Sequence, residues 1–381
     1  MAAFQDGRYP NVLLDFGYAP HQIDKRLADV WSEMFEGTDR IYFEYGEDMG
    51  YMEDTGNHDA RTEGMSYGMM MAVQMDRKDI FDRLWRWSFQ YMRHEEGKYK
   101  DYFAWHCRVE DGGRIHDGPA PDGEEYYAMA LFFASKRWGD GEEPLDYGNQ
   151  ARRILRAMVH KGETEEGDAM MDPEAKMVRF IPEARFSDPS YHLPHFYELF
   201  ALWADEGDRS FWKEAARVSR DYFRKSCHPV TGLAPNLANY DGMPFIRQTD
   251  PPERGLLSGC HYSDAYRVVL NIALDQAWFG VDGWQAGECQ RIQTFIQSQP
   301  DGYEKVFYID GTVFPEPAMH PLGMMSTLAS AALAAGDTPE ARKAVELFFT
   351  SPLRKGVRRY YDNCLYLFSL LALSGNYRIW K

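Results

Sequence analysis

The chain lacks what would mark it for a membrane, a nucleic acid or an oxidising compartment. Its 381 residues include five cysteines, Cys107, Cys227, Cys260, Cys289 and Cys364, odd in number, scattered and without a Cys-x-x-Cys pair. That usage implies reduced thiols in a cytoplasm, not a disulfide framework or a structural zinc site. Positive charge is in deficit, with 42 Lys+Arg against 59 Asp+Glu for a net charge of −17. Without a basic stripe for phosphates, a nucleic-acid partner is disfavoured; solubility is the plain use of the negative charge and a cationic substrate the more specific one. No apolar run approaches the roughly 18 residues of a membrane helix. The opening MAAFQDGRYPNVLLDFGYAP has no basic stretch leading into an apolar one, so no signal peptide is expected. No GxGxxG or Walker-type loop occurs. No Pro/Gly/Ser-rich linker divides the chain, which reads as one domain over residues 1–381.

Aromatic residues are plentiful by contrast: 10 Trp, 24 Tyr and 23 Phe. Much of that is core, but flat Trp and Tyr faces are also what covers the C–H faces of pyranoses in a sugar cleft. Apolar residues recur at spacings of three and four, as Phe81, Leu84, Trp85, Phe89 and Met92 do in KDIFDRLWRWSFQYMR. Such stripes predict about twelve helices, over 19–36, 62–76, 78–95, 122–138, 145–161, 189–206, 208–227, 262–280, 283–299, 317–336, 338–350 and 359–376. Strand signals are few: 40–45 (RIYFEY), 177–181 and 306–309 suit short ribbons within loops. Six helical hairpins can close into a ring of inner and outer helices, and the absence of a clear repeat argues against an open solenoid. The fold class is therefore all-α. In such a ring the N-termini of alternate helices gather at one end. Long loops rich in Asp, Gly, Tyr, His and Trp, about 37–61, 96–121, 162–188, 228–261 and 300–316, precede helix starts, and a site is expected there.

Three carboxylates share that position: Glu63 in ARTEGMSYGMMM, Asp122 in GPAPDGEEYYAMALFF and Asp264 in HYSDAYRVVLNIA. Each has a plain explanation as a cap or a counter-charge to a helix dipole, and Asp122 with Glu125 has capping-box spacing. Together they suit glycoside hydrolysis, which needs one carboxyl kept protonated and another kept ionised. An apolar flank such as the one after Glu63 raises a carboxyl pKa, whereas the Tyr262, Tyr266 and Arg267 neighbours of Asp264 favour its charged form.

The segments ARTEGMSYGMMMAVQMD, APDGEEYYAMALFFA, YHLPHFYELFA, YSDAYRV and YYDNCLYLFSLLALSGNY resemble glycoside hydrolase family 8, from about residue 10 to the C-terminus, and within it the reducing-end-xylose-releasing exo-oligoxylanases. The resemblance implies an (α/α)6 barrel, inversion at the anomeric carbon and a xylo-oligosaccharide substrate, with no cofactor or metal. It implies Glu63 as general acid, Asp264 as general base, Asp122 as the acid holding the distorted −1 sugar, and Tyr191 as the tyrosine orienting the attacking water. Trp105 matches a tryptophan that stacks a glycone-side sugar, and Arg267 and Tyr361 match further cleft positions. His320, in EPAMHPLG, resembles a histidine on a loop that closes the leaving side so that one xylose fits past the cut. Many family members have Thr or Ser where this chain has Pro121, which implies an altered loop shape with Asp122 kept in use.

Other candidates carry plainer readings. His192 and His195 lie three apart on an expected helix and suit structure better than a metal, since no third ligand is placed. His58 and Asp59 suit loop structure or substrate contact. Met69–Met71 and Met75 suit core filling, and Cys260 with His261 is an improbable nucleophile pair on a loop. The competing functions are an endo-acting family member cutting xylan, cellulose, chitosan or mixed β-glucan, a non-catalytic oligosaccharide-binding protein, and a helical interaction scaffold.

Overall fold

Apolar stripes at helical spacing become twelve helices of ten or more residues among the described residues of this computed structural model, which cover 2–249 and 251–381. They are α1 (Pro20–Phe35), α2 (Thr62–Gln74), α3 (Lys78–Trp87), α4 (Pro121–Trp138), α5 (Tyr147–His160) and α6 (Pro194–Trp203). The second half comprises α7 (Arg209–Ser226), α8 (Arg267–Trp278), α9 (Trp284–Ser298), α10 (Pro321–Ser330), α11 (Pro339–Thr350) and α12 (Arg359–Leu373). The even-numbered helices pack in the order α2–α4–α6–α8–α10–α12 and back to α2, and each is backed by an odd-numbered neighbour. The result is an (α/α)6 barrel.

Burial pattern decides which helix goes where. Inner helices are buried nearly all round: α2 from Gly64 to Gln74 and α12 from Tyr360 to Leu373. Outer helices have one stripe, as in α3, where Ile80, Phe81, Leu84, Trp85 and Trp87 are buried and the rest face outward. Two glycines let α2 nest between its neighbours. A Cβ on Gly64 would lie 2.5 Å from the Tyr360 hydroxyl of α12, and one on Gly123 of α4 would lie 2.5 Å from the Thr62 side chain. Pro20, Pro121, Pro194, Pro321 and Pro339 each occupy the first turn of a helix, where a missing N–H costs nothing.

The expected helices depart from the structure at their edges. The 78–95 stripe loosens after Trp87 into a wide turn over Ser88–Met92. The 189–206 stretch splits into a tight turn, Pro189–Tyr191, and α6, because Pro194 bars Leu193 from helical geometry. The 262–280 stretch likewise starts as a tight turn, Ser263–Tyr266, and the 317–336 stretch begins only at Pro321. Small antiparallel sheets occupy the loops that lead into the inner helices. They are β1 (Tyr42–Tyr45) with β2 (Met49–Met52), then β3 (Asp59–Arg61), β4 (His106–Arg108) and β5 (Arg114–His116), then β6 (Cys260–His261), β7 (Lys305–Tyr308) and β8 (Val313–Pro317). The ribbons expected at 40–45 and 306–309 are thus β1 and β7, while 177–181 contributes only a bridge between Met171 and Val178.

A buried ion cluster ties the barrel wall together. Arg220 of α7 donates to both oxygens of Asp275 in α8, at 2.8 and 2.7 Å, and to Glu198 of α6 at 2.7 Å. Asp275 is wholly buried, so removing its partner leaves an uncompensated charge. Arg220→Ala is expected to destabilise the protein by about 3–5 kcal/mol, read as a lowered urea midpoint. The pair replacement Arg220→Met with Asp275→Leu is expected to cost much less, and a double variant as unstable as the single one would contradict this account.

Candidate active site

The site lies where the long loops meet the N-termini of the inner helices. Strand β3 runs directly into α2 and puts Glu63 one residue inside that helix. Its Oε1 accepts a hydrogen bond from the Tyr360 hydroxyl at 2.9 Å, and its Oε2 lies 3.3 Å from Nη1 of Arg267. Burial pushes the Glu63 carboxyl up to about 8; Asp264 and Asp122 push the same way, while Arg267 and Tyr360 oppose them.

Asp122 enters from the first turn of α4. Pro121 starts that helix and holds Ala120 in extended geometry, so the proline shapes the entry and leaves the acid in place. Asp122 Oδ2 accepts from Arg267 Nη1 at 2.9 Å, and Oδ1 accepts from the Gly123 amide at 3.0 Å. Burial raises its pKa against the pull of Arg267. Asp264 sits in the turn Ser263–Tyr266, where Ser263 adopts φ +49°, a strained left-handed conformation that redirects the chain just before the acid. Asp264 is the most open of the three carboxylates, with 30% of its side chain exposed. The Tyr361 hydroxyl donates to its Oδ1 at 3.1 Å, and Arg267 Nη2 lies 3.5 Å from the same oxygen.

Arg267 is therefore the hub. One buried guanidinium reaches Glu63, Asp122 and Asp264, takes the Tyr67 hydroxyl at 2.5 Å and lies 5.6 Å above the Tyr191 ring. Glu63 and Asp264 bind different nitrogens of this rigid fork at 3.3 and 3.5 Å, so the guanidinium lies between them. No hydrogen bond joins them. Inverting glycosidases hold their carboxyls about 6.5–9.5 Å apart and retaining ones about 5–5.5 Å. None of the three acids serves as a helix cap, and the Asp122–Glu125 capping box does not form: Glu125 instead accepts from the Tyr197 hydroxyl.

Glu63, Asp122, Asp264, Tyr191, Trp105, Tyr361 and His320 all line one cleft of about 530 Å³, with Arg267 directly behind them. Burial raises the Tyr191 phenol well above its usual range and keeps it protonated. Trp105 stacks on His106 at 4.6 Å, and the Arg61 guanidinium lies 5.3 Å from its ring. His320 precedes α10 and is pinned: its Nδ1 is 3.1 Å from Asp362 Oδ2, and its ring meets Tyr361 edge-on at 4.8 Å. Arg354 fastens the same loop by donating to the Met319 carbonyl at 2.6 Å and pairing with Asp362.

Sequence reasoning passed over several partners. Tyr360, next to the nominated Tyr361, holds Glu63, and Tyr67, inside the quoted EGMSY stretch, holds Arg267. Adjacency in YYD was the available signal, but it does not say which ring points where. Asp188 caps the Pro189–Tyr191 turn through the Ser190 amide at 2.7 Å; burial, then the Asp264 charge, raises its pKa well above normal. The lesser candidates lie outside the cleft lining. His192 bonds the Ser219 and Ser187 hydroxyls at 2.8 and 3.0 Å, and His195 packs against Phe196 and Trp278. Cys260 faces the Leu256 carbonyl and His261 the Ala234 carbonyl, so they form no pair. His58 bonds Glu53, while Asp59 holds Arg61 and His106. Met69–Met71 are core. All five cysteines are free and buried. Among the described residues no helix is long and apolar enough to cross a membrane.

The chain is similar to known proteins over most of its length. The family model described as glycosyl hydrolases family 8 matches residues 44–375. The reducing-end xylose-releasing exo-oligoxylanase Rex8A of Paenibacillus barcinonensis is 56% identical over 380 residues, 99% of this chain and 98% of its own. The reducing end xylose-releasing exo-oligoxylanase of Halalkalibacterium halodurans is 53% identical, covering 99% of this chain and 96% of its own. The solved structure of Rex8A complexed with xylose superposes with a TM-score of 0.96 at 56% identity, over 100% of both chains. A carboxylate set at one mouth of an (α/α)6 barrel, in a chain matched by this family over most of its length, makes the protein a glycosidase belonging to glycosyl hydrolase family 8.

Proposed function

We propose that the protein hydrolyses β-1,4-xylo-oligosaccharides with inversion, releasing xylose from the reducing end, and that residues 1–381 act as one catalytic domain. The observation that carries this is the convergence of Glu63, Asp122 and Asp264 on Arg267, in a cleft bounded on one side by the pinned His320 loop. The two relatives are named for this activity, and their match covers nearly the whole chain. Five free, buried cysteines support a cytoplasmic location.

Glu63 gives its proton to the glycosidic oxygen as the bond from that oxygen to the anomeric carbon breaks. A water attacks the opposite face of that carbon, and its proton passes to Asp264. Asp122 holds the −1 sugar, and the protonated Tyr191 phenol orients the water, so that contacts strengthen as the sugar distorts. Trp105 carries a glycone-side sugar on its ring. His320 closes the leaving side after one xylose.

Glu63→Gln is expected to lower kcat by about 10²–10⁴-fold with the fold intact; near-normal turnover removes Glu63 from the role. The acid works only while protonated, so activity should be held below the Glu63 pKa and lost as pH rises through it. The alkaline limb of kcat/KM is thus expected near 8, and a limb near the ordinary carboxylate range would overturn the assignment. Proton NMR of the first product should show the α anomer from a β linkage. Xylotriose reduced to its alditol should resist cleavage, whereas an endo-acting enzyme would still cut longer capped chains.

A further inference from the structure

Nineteen methionines give this chain a large amount of oxidisable sulfur, and the barrel hides most of it. Met65, Met69–Met71 and Met129 are buried in the inner helices, and Met49, Met75 and Met325 are half-buried. Among the described residues two methionines are exposed, Met243 at 62% and Met319 at 39%. Met243 lies outside the lining of the cleft. Met319 is part of that lining, one residue before His320. Its side chain has no part in the chemistry above.

The Met319 thioether joins two loops on which the site depends. The Tyr262 hydroxyl donates to its sulfur at 3.7 Å, and Tyr262 stands two residues before Asp264. Burial, with the Glu316 and Asp264 charges, raises the pKa of the Tyr262 phenol, so it keeps the proton that it donates. Arg354 fastens the Met319 carbonyl, which holds the backbone that carries the sulfur. A thioether is a weak acceptor, whereas its sulfoxide is polar and carries one more heavy atom. A thioether also reacts without first losing a proton. All five thiols are buried, and burial keeps them protonated and shielded. An oxidant that enters the cleft therefore meets the Met319 sulfur and no thiolate.

We propose that Met319 is a modification site at which hydrogen peroxide oxidises the thioether to the sulfoxide and so lowers turnover. The sulfur lone pair attacks one peroxide oxygen as the O–O bond breaks. Sulfur is oxidised by two electrons, and the other oxygen leaves as water. The new oxygen takes the Tyr262 hydroxyl more firmly than sulfur did, and it adds a polar atom to the wall beside His320. The effect on turnover rests on the exo reading above, which puts the departing xylose there; the oxidation itself does not. The test treats the whole enzyme with dilute hydrogen peroxide and measures xylose release from xylotriose, each variant scored against its own untreated rate. Peptide mass spectrometry locates the added oxygen. The unsubstituted enzyme should gain oxygen on Met319 and lose about tenfold in kcat/KM, the worth of one displaced hydrogen-bonded contact. Methionine sulfoxide reductase should restore it. Met319→Leu should hold its rate under the same treatment, while Met243→Leu should fall as the unsubstituted enzyme does. Met319→Gln, with a polar oxygen at similar reach, should be slow from the start and indifferent to peroxide. The proposal is overturned if Met319 stays unmodified, if it is oxidised with the rate unchanged, or if the loss persists in Met319→Leu. Should that variant not fold, as thermal unfolding would show, the mass and reductase measurements on the unsubstituted enzyme decide. Failure of the exo reading shows separately, in the untreated enzyme, as cleavage of reduced oligomers or a first product other than xylose.

Discussion

Arg267 sets the electrostatic terms of this molecule. A guanidinium taken out of water must be compensated, and three carboxylates from the starts of three different inner helices compensate it. Three carboxylates around one cation leave a surplus of negative charge, and burial raises the pKa of Glu63 and of Asp122. At Glu63 burial and the Asp264 and Asp122 charges together disfavour ionisation and push the carboxyl up to about 8. Asp264 is the carboxylate left most open to water. One cation thus binds Glu63 and Asp264 through separate nitrogens of the same planar fork.

The barrel supplies the geometry that such an arrangement needs. Alternate helices run in parallel, so the inner six present their N-termini at one mouth, and the loops entering them reach the same cleft. Small sheets brace those loops close to the reacting groups: β3 feeds Glu63, β6 precedes Asp264 and β8 precedes His320. The ring also separates the two sides of the cut. Trp105 and His320 belong to loops entering opposite inner helices and line the same cleft from its two sides. Residues with no proton to move still matter, because Tyr360, Tyr361 and Tyr67 hold Glu63, Asp264 and Arg267 in place.

The helical frame was legible because burial of an amphipathic or wholly apolar helix demands a repeat near 3.6 residues, and that repeat is a local property of the chain. The acids were legible as motifs: Glu63, Asp122 and Asp264 each follow a long loop into a helix, and the resemblance named all three together. Less legible were the breaks at Pro194 and Ser263, where a single residue's backbone preference outweighs an apolar stripe that continues past it.

Tertiary structure alone decided what each acid contacts. Capping and catalysis ask for the same residue type at the same place, and nothing local says whether a carboxylate turns back to its own amides or across the groove to Arg267. Nor does local sequence tell Tyr360 from Tyr361, which sit side by side yet bind different carboxylates. Periodicity and motif are written in neighbours along the chain. Distance, desolvation and the sharing of one counter-ion arise between residues 145 and 204 positions apart, and they exist only once the ring has closed.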